Sequence, residues 1–193
     1  MSTLKIKHRE FEIIEEISEK TMIASHKGKE YLIEKFDYSK DEGKAFFYAL
    51  KRIKSSGVSA PKVFILDKKA GLVAKENIKG QLVSEMLAGK DLDEAVLEQL
   101  FKIAYLARIN RMTLNYNPDN WMWSNGKLYY LKTDFIEYNK EKDLVIKYIR
   151  LWFPTKEAAE FLAKLGLNID KNRLKNEYLV NKEIVLMTCK YYK

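Results

Sequence analysis

Leu114-Asn115-Tyr116-Asn117-Pro118-Asp119-Asn120-Trp121 begins the stretch that decides how this chain folds. It continues through Met122-Trp123-Ser124-Asn125-Gly126-Lys127 and Leu128-Tyr129-Tyr130-Leu131 to Lys132-Thr133-Asp134-Phe135. Asn125-Gly126 is the dipeptide of a two-residue hairpin turn, because both central positions of that turn need positive φ. The aromatic and aliphatic runs on either side predict two short strands. Such a hairpin brings its ends together. Asn120 precedes the first strand and Asp134 closes the second, so an amide oxygen and a carboxylate can face one hard cation, as phosphoryl transfer requires. Taken alone, the same residues also read as ordinary turn chemistry.

Upstream, Arg9 to Ile17, Thr21 to His26 and Glu30 to Phe36 are three apolar-alternating runs that predict an antiparallel meander. A helix follows, with Ser39 as N-cap, Glu42 in its opening turns, and Ala45, Phe46, Ala49, Leu50 and Ile53 on one face. Gly57 and Pro61 end it. Lys62 to Leu66 and Gly71 to Ala74 then predict two more strands, followed by a short helix over 81–88 and a long one over 92–110. Beyond Asp134 the pattern predicts helices over Lys140 to Tyr148, Thr155 to Leu165 and, as one or two pieces, Asp170 to Met187.

This order resembles the protein-kinase-like superfamily, and the Pro118-Asp119-Asn120 wording is closest to small atypical bacterial members, the RIO-type and lipopolysaccharide-core sugar kinases. The resemblance spans roughly residues 10 to 136. It implies an α+β, two-lobed fold: an antiparallel five-stranded N-lobe with one helix over 1–80, ending in a hinge, and a reduced helical C-lobe over 81–193. It also implies ATP and Mg2+ as cofactors. Lys35 stands where the phosphate-holding lysine is expected and Glu42 where its helix partner is expected. Glu76 and Ile78 belong to the adenine-binding hinge, and Asn120 and Asp134 occupy the metal-ligand positions. Lys132, two residues before Asp134, competes for that place if the strand continues that far.

Three departures separate the chain from the family. No glycine occurs between Glu16 and Met22, where a phosphate loop would lie. Ile136 replaces the glycine after Asp134-Phe135. Asn115 stands in place of the catalytic aspartate, and an amide oxygen has no useful basicity near neutral pH. Asp119 is the neighbouring carboxylate that can substitute. The expectation is a phosphotransferase-type protein acting on a sugar or lipopolysaccharide-type hydroxyl, with catalysis weakened or lost. The alternative is a pseudokinase serving as a binding module for a protein partner.

Composition bounds the rest. The 193 residues are 47% hydrophobic, enough for one cored domain or two small lobes. One cysteine, Cys189, excludes an internal disulfide and a cysteine-built zinc site. The charged N-terminus does not read as a signal peptide, and no apolar run reaches membrane-spanning length, so a cytoplasmic protein without a transmembrane segment is expected. The net charge of +8 suits phosphorylated ligands. Its lysines are scattered along the chain and form no basic-aromatic stripe, so no nucleic-acid partner is expected.

Overall fold

The computed structural model describes residues 2–37 and 41–191, with the side chain of Glu42 outside the description. Ser39, the expected N-cap, also lies outside it. Close contacts divide the chain into two units, Met1–Lys51 with Pro61–Lys79, and Arg52–Ala60 with Gly80–Lys193.

The first unit holds strands β1 (Thr3–Ile6), β2 (Arg9–Ser18), β3 (Thr21–His26) and β4 (Lys29–Lys35), helix α1 (Asp41–Ser55, which ends in the second unit), and strands β5 (Val63–Asp67) and β6 (Leu72–Glu76). They form one antiparallel sheet in the order β1-β2-β3-β4-β6-β5. The sheet therefore has six strands where five were expected. Thr3-Leu4-Lys5-Ile6 is too short to show a period by itself, and it becomes a strand through its pairing with β2, where Leu4 meets Phe11 and Ile6 meets Arg9.

The sheet curls, because its two edge strands approach one another: the Lys7 backbone N–H donates to Asp67 Oδ2 at 3.0 Å. Asp67 also accepts from the Lys69 and Ala70 N–H groups, and the Ala70 bond leads in holding its carboxyl below the usual range. The period of two sorts the side chains. Ile6, Phe11, Met22, Ala24, Ile33 and Ala74 fill the concave face, each almost wholly buried.

The second unit contains β7 (Gln81–Leu82), α2 (Val83–Gly89), α3 (Glu94–Ile109), β8 (Met112–Thr113), β9 (Trp121–Ser124), β10 (Lys127–Tyr130), β11 (Ile136–Glu137), α4 (Lys156–Lys164) and α5 (Glu177–Tyr191). Strands β10, β9 and β7 make one small sheet, and β11 with β8 another. Leu100, Phe101, Ala104 and Ala107 on α3 share a core with Trp121, Tyr130 and Trp152.

The helix expected over Lys140 to Tyr148 is not one helix. A 3-10 turn (Lys140–Lys142), a single π-helical turn (Leu144–Tyr148) and another 3-10 turn (Ile149–Trp152) replace it. Asn139 and Asp143 each accept a backbone N–H two residues on, from Glu141 and Val145, and each bond restarts the chain. The new directions bury Leu144, Ile149 and Trp152 together. Among the described residues, no helix is long and apolar enough to cross a membrane.

Candidate functional site

Helix α3 ends at Ile109, and Arg111 turns the chain with φ 54° into β8, which pairs with β11 so that Thr113 faces Ile136. Between these two strands runs the 114–135 segment. Its centre is the expected hairpin: Asn125 and Gly126 have φ of 49° and 71°, and Trp121 pairs with Tyr130 across β9 and β10. Pro118 starts a 3-10 turn that ends at Asn120. The Leu131 N–H donates to the Asn120 carbonyl at 2.9 Å, so the chain entering the hairpin is fastened to the chain leaving it.

Two indoles hold the loop before the hairpin in place. Trp121 Nε1 donates to the Asn115 carbonyl at 3.1 Å, and Trp152 Nε1 to the Tyr116 carbonyl at 2.8 Å. Tyr116 stacks on Trp121 with the rings 7° from parallel. Buried aromatic rings with polar atoms at their edges give such a loop one conformation.

At the other side stands the Tyr130 phenol. Its single proton is shared between Asp134 Oδ1 and the Asp134 carbonyl, each at 3.0 Å, and its oxygen accepts from the Asn115 N–H at 3.3 Å. Burial chiefly, and the Asp134 charge next, push its pKa above the ordinary value of 10.0. The phenol therefore stays protonated and serves as a fixed donor.

Asn115, Tyr130 and Asp134 line a cleft of about 340 Å³, together with Lys142 and Lys147 from the broken-helix segment. The side-chain oxygen of Asn115 accepts from the Asn117 N–H at 3.2 Å. Asn120 is buried at the turn, and Asp134 is exposed. Asp119 Oδ1 is buried without a hydrogen-bond partner, which marks it as an acceptor available to a cation or a ligand donor. Strand β10 ends at Tyr130, so the period of two does not carry on to Lys132, which is exposed; Asp134 is the one that lines the cleft.

Among the described residues no group of three His, Cys, Asp or Glu could hold a metal.

In the first unit, Lys35 ends β4 and is exposed, on the strand face of Tyr31 and Ile33. The turn before β3 is a tight Glu19-Lys20 pair, whose Lys20 carbonyl accepts from the Lys35 N–H at 2.8 Å. Glu76 closes β6: its N–H donates to the Lys62 carbonyl at 2.8 Å, and its carboxylate accepts from the Lys62 N–H at 3.3 Å. Ile78 lies beyond the ladder, half-buried and in no regular element. Next to it, Lys79 pairs with Glu30 at 2.5 Å.

Sequence reasoning missed Lys75. It is buried on β6, and its Nζ meets Glu34 Oε1 at 2.5 Å, with side-chain exposures of 2% and 22%. The available signal was a lysine directly continuing the apolar run Leu72-Val73-Ala74. Also missed were Lys142 and Lys147, which only the folded segment brings beside Asp134.

Compared by sequence, the chain matches no family model and no curated protein. Its fold does have solved counterparts. The crystal structure of LicA in complex with AMP aligns over 98% of this chain and 84% of that one, with a TM-score of 0.50 and 15% identity. Identity at that level speaks for fold alone, and in fold this chain is similar to LicA, with a mixed α+β architecture.

Proposed function

We propose that this chain is a kinase-like protein that binds a nucleotide with magnesium, and that its phosphotransfer to a sugar-type hydroxyl is weakened or lost. The observation that carries this reading is the Tyr130-centred cleft, where one phenol holds the Asn115 backbone and the Asp134 carboxylate in a fixed relation. LicA, which shares the fold, was crystallised with AMP.

In this proposal Lys35 meets the phosphates with Glu42 as its partner, the backbone at Glu76 and Ile78 receives the base, and Asn120 and Asp134 hold magnesium. The metal would neutralise phosphate charge, which supplies much of the catalysis in phosphoryl transfer. In a transfer step the acceptor oxygen bonds to phosphorus, the bond to the diphosphate leaving group breaks, and the acceptor proton must go to a base. Asn115 cannot take it, because its amide oxygen is a poor base and already accepts from Asn117. Asp119, with its buried unpartnered oxygen, is the carboxylate left nearby in the chain. The same observation on Asn115 favours a second reading, a nucleotide-responsive binding module that performs no transfer.

The test is thermal unfolding with AMP, and with ATP and magnesium, in the wild type and in Asp134→Ala. A site filled at about a hundred times its Kd stabilises by about 2.7 kcal/mol. The proposal expects a stabilisation of that order with ATP and magnesium, and loss of its metal-dependent part in the variant. No shift with any nucleotide at millimolar concentration overturns it.

A further inference from the structure

Lys7, Lys27 and Lys29 lie at one end of the curled sheet. Two hairpin turns lie there, Lys7-His8 between β1 and β2 and Lys27-Gly28 between β3 and β4, with Lys7 and Lys27 both at positive φ. Between them opens a concavity of about 490 Å³ lined by His8, Arg9, His26, Lys27, Lys29 and Tyr31. Five of these six carry a cationic or imidazole group. The Glu19-Lys20 turn lies at the opposite end of β3, and the cavity shares no residue with the candidate nucleotide site.

The strand period explains the sorting. Arg9 shares a face of β2 with Phe11, and Lys29 shares a face of β4 with Tyr31 and Ile33, so both cations stand at the mouth of the concave side. Glu10 and Glu30, one residue out of phase, belong to the other face. Glu30 is already occupied by Lys79 and Asn77, and Glu10 presents its carbonyl to the site instead of its carboxylate.

Several of these groups are held in place. His26 Nδ1 lies 2.7 Å from the Glu10 carbonyl; since a carbonyl only accepts, Nδ1 carries the hydrogen, and this bond fixes the ring. The His26 ring packs on Phe11 at 5.1 Å, and Phe11, Tyr31 and Phe64 continue as an edge-to-face series. Lys29 Nζ lies 4.8 Å from the centre of the Phe64 ring. Asp67 ties down the Lys7 turn that presents His8. Among the described residues, Arg9, Lys27 and Lys29 form no ion pair, so their charge is available.

We propose that this mouth is a second ligand site, which takes a small anion carrying a diphosphate or similarly clustered phosphate groups. A guanidinium fork and two ammonium groups over an aromatic floor match clustered phosphate oxygens.

Titration calorimetry with inorganic pyrophosphate tests it, using wild type, the double variant Arg9→Ser/Lys27→Ser, and Lys147→Ser as a control for charge in the cleft near Asp134. All three substituted positions are on the surface or in an open cleft, so folding is kept. Wild type and the control are expected to bind pyrophosphate equally, and the double variant about tenfold or more weakly, with the AMP response of the double variant unchanged from that of wild type. Binding of pyrophosphate without capture of vesicles assigns a free phosphorylated molecule. Capture of phosphatidylcholine vesicles only when they contain a phosphatidylinositol bisphosphate, and only by protein with Arg9 and Lys27 intact, assigns a lipid headgroup. Failure of wild type to bind either probe, or equal binding by the double variant, overturns the proposal. Loss through Lys147→Ser also overturns it, since that places the anion near Asp134.

Discussion

The Tyr130 hydroxyl lies 3.0 Å from Asp134 Oδ1 while also receiving the Asn115 N–H at 3.3 Å, so one buried phenol couples the two sides of the cleft. Replacing Tyr130 with Phe keeps the ring and removes the coupling. The expected cost at neutral pH is about 1–2 kcal/mol, because the half-buried Asn115 N–H loses its acceptor. Calorimetry should record a fall in Tm of roughly 5 °C.

The same residue predicts a pH effect. Burial, then Asp134, raise the folded phenol above its ordinary value of 10.0. An unfolded chain thus releases the Tyr130 proton at lower pH than the folded one. The contribution is complete below about pH 10 and is lost as pH rises further. Denaturant melts across pH 9 to 11 should show a shallower alkaline decline in Tyr130→Phe than in the wild type.

Asn115→Asp supplies a carboxylate where the loop now has an amide. If positioning by Tyr130 and Trp121 is otherwise intact, the new base should raise ATP turnover by about 10²-fold, the lower end for general-base catalysis. Release of ADP, followed with and without magnesium, measures it. An unchanged rate would mean that the missing base is not what limits the chain.

Lys75 and Glu34 predict an asymmetry. Lys75 is the deeper partner, so Glu34→Ala takes a neutralising carboxylate away from a buried ammonium and should cost about 3 kcal/mol. Lys75→Met leaves a carboxylate that still reaches water and fills the lysine's space with apolar atoms, so it should cost less than about half as much. Urea melts of the two variants decide it, and equal losses would refute the assignment.

Two glycines separate strain from collision. Gly28 has φ 73° with open space where a Cβ would go, so Gly28→Ala should cost only about 1 kcal/mol. Gly71 has φ 62°, and a Cβ there would run into the Phe36 carbonyl oxygen, whose own N–H donates back to the Gly71 carbonyl at 2.8 Å. Gly71→Ala should lose about 3 kcal/mol or more. Thermal unfolding of both resolves the difference.

What the sequence by itself determined is the part that depends on near neighbours along the chain. Asn125-Gly126 specified its hairpin because positive φ is cheap there, and Met22, Ala24, Tyr31 and Ile33 specified strands because alternate side chains share a face. The expected closing of the second strand by Asp134 does not hold: that strand ends at Tyr130, and Asp134 lies beyond it. Only the tertiary structure decided the rest. Thr3 to Ile6 became a strand through a partner ladder, and residues 140–152 broke into short turns because Leu144, Ile149 and Trp152 had to reach one core. It also buried Lys75 against a carboxylate 41 residues away and brought Arg9 beside Lys27 and Lys29 at one sheet mouth. Charge and burial act through space, and spacing along the chain carries no record of which distant residues will meet.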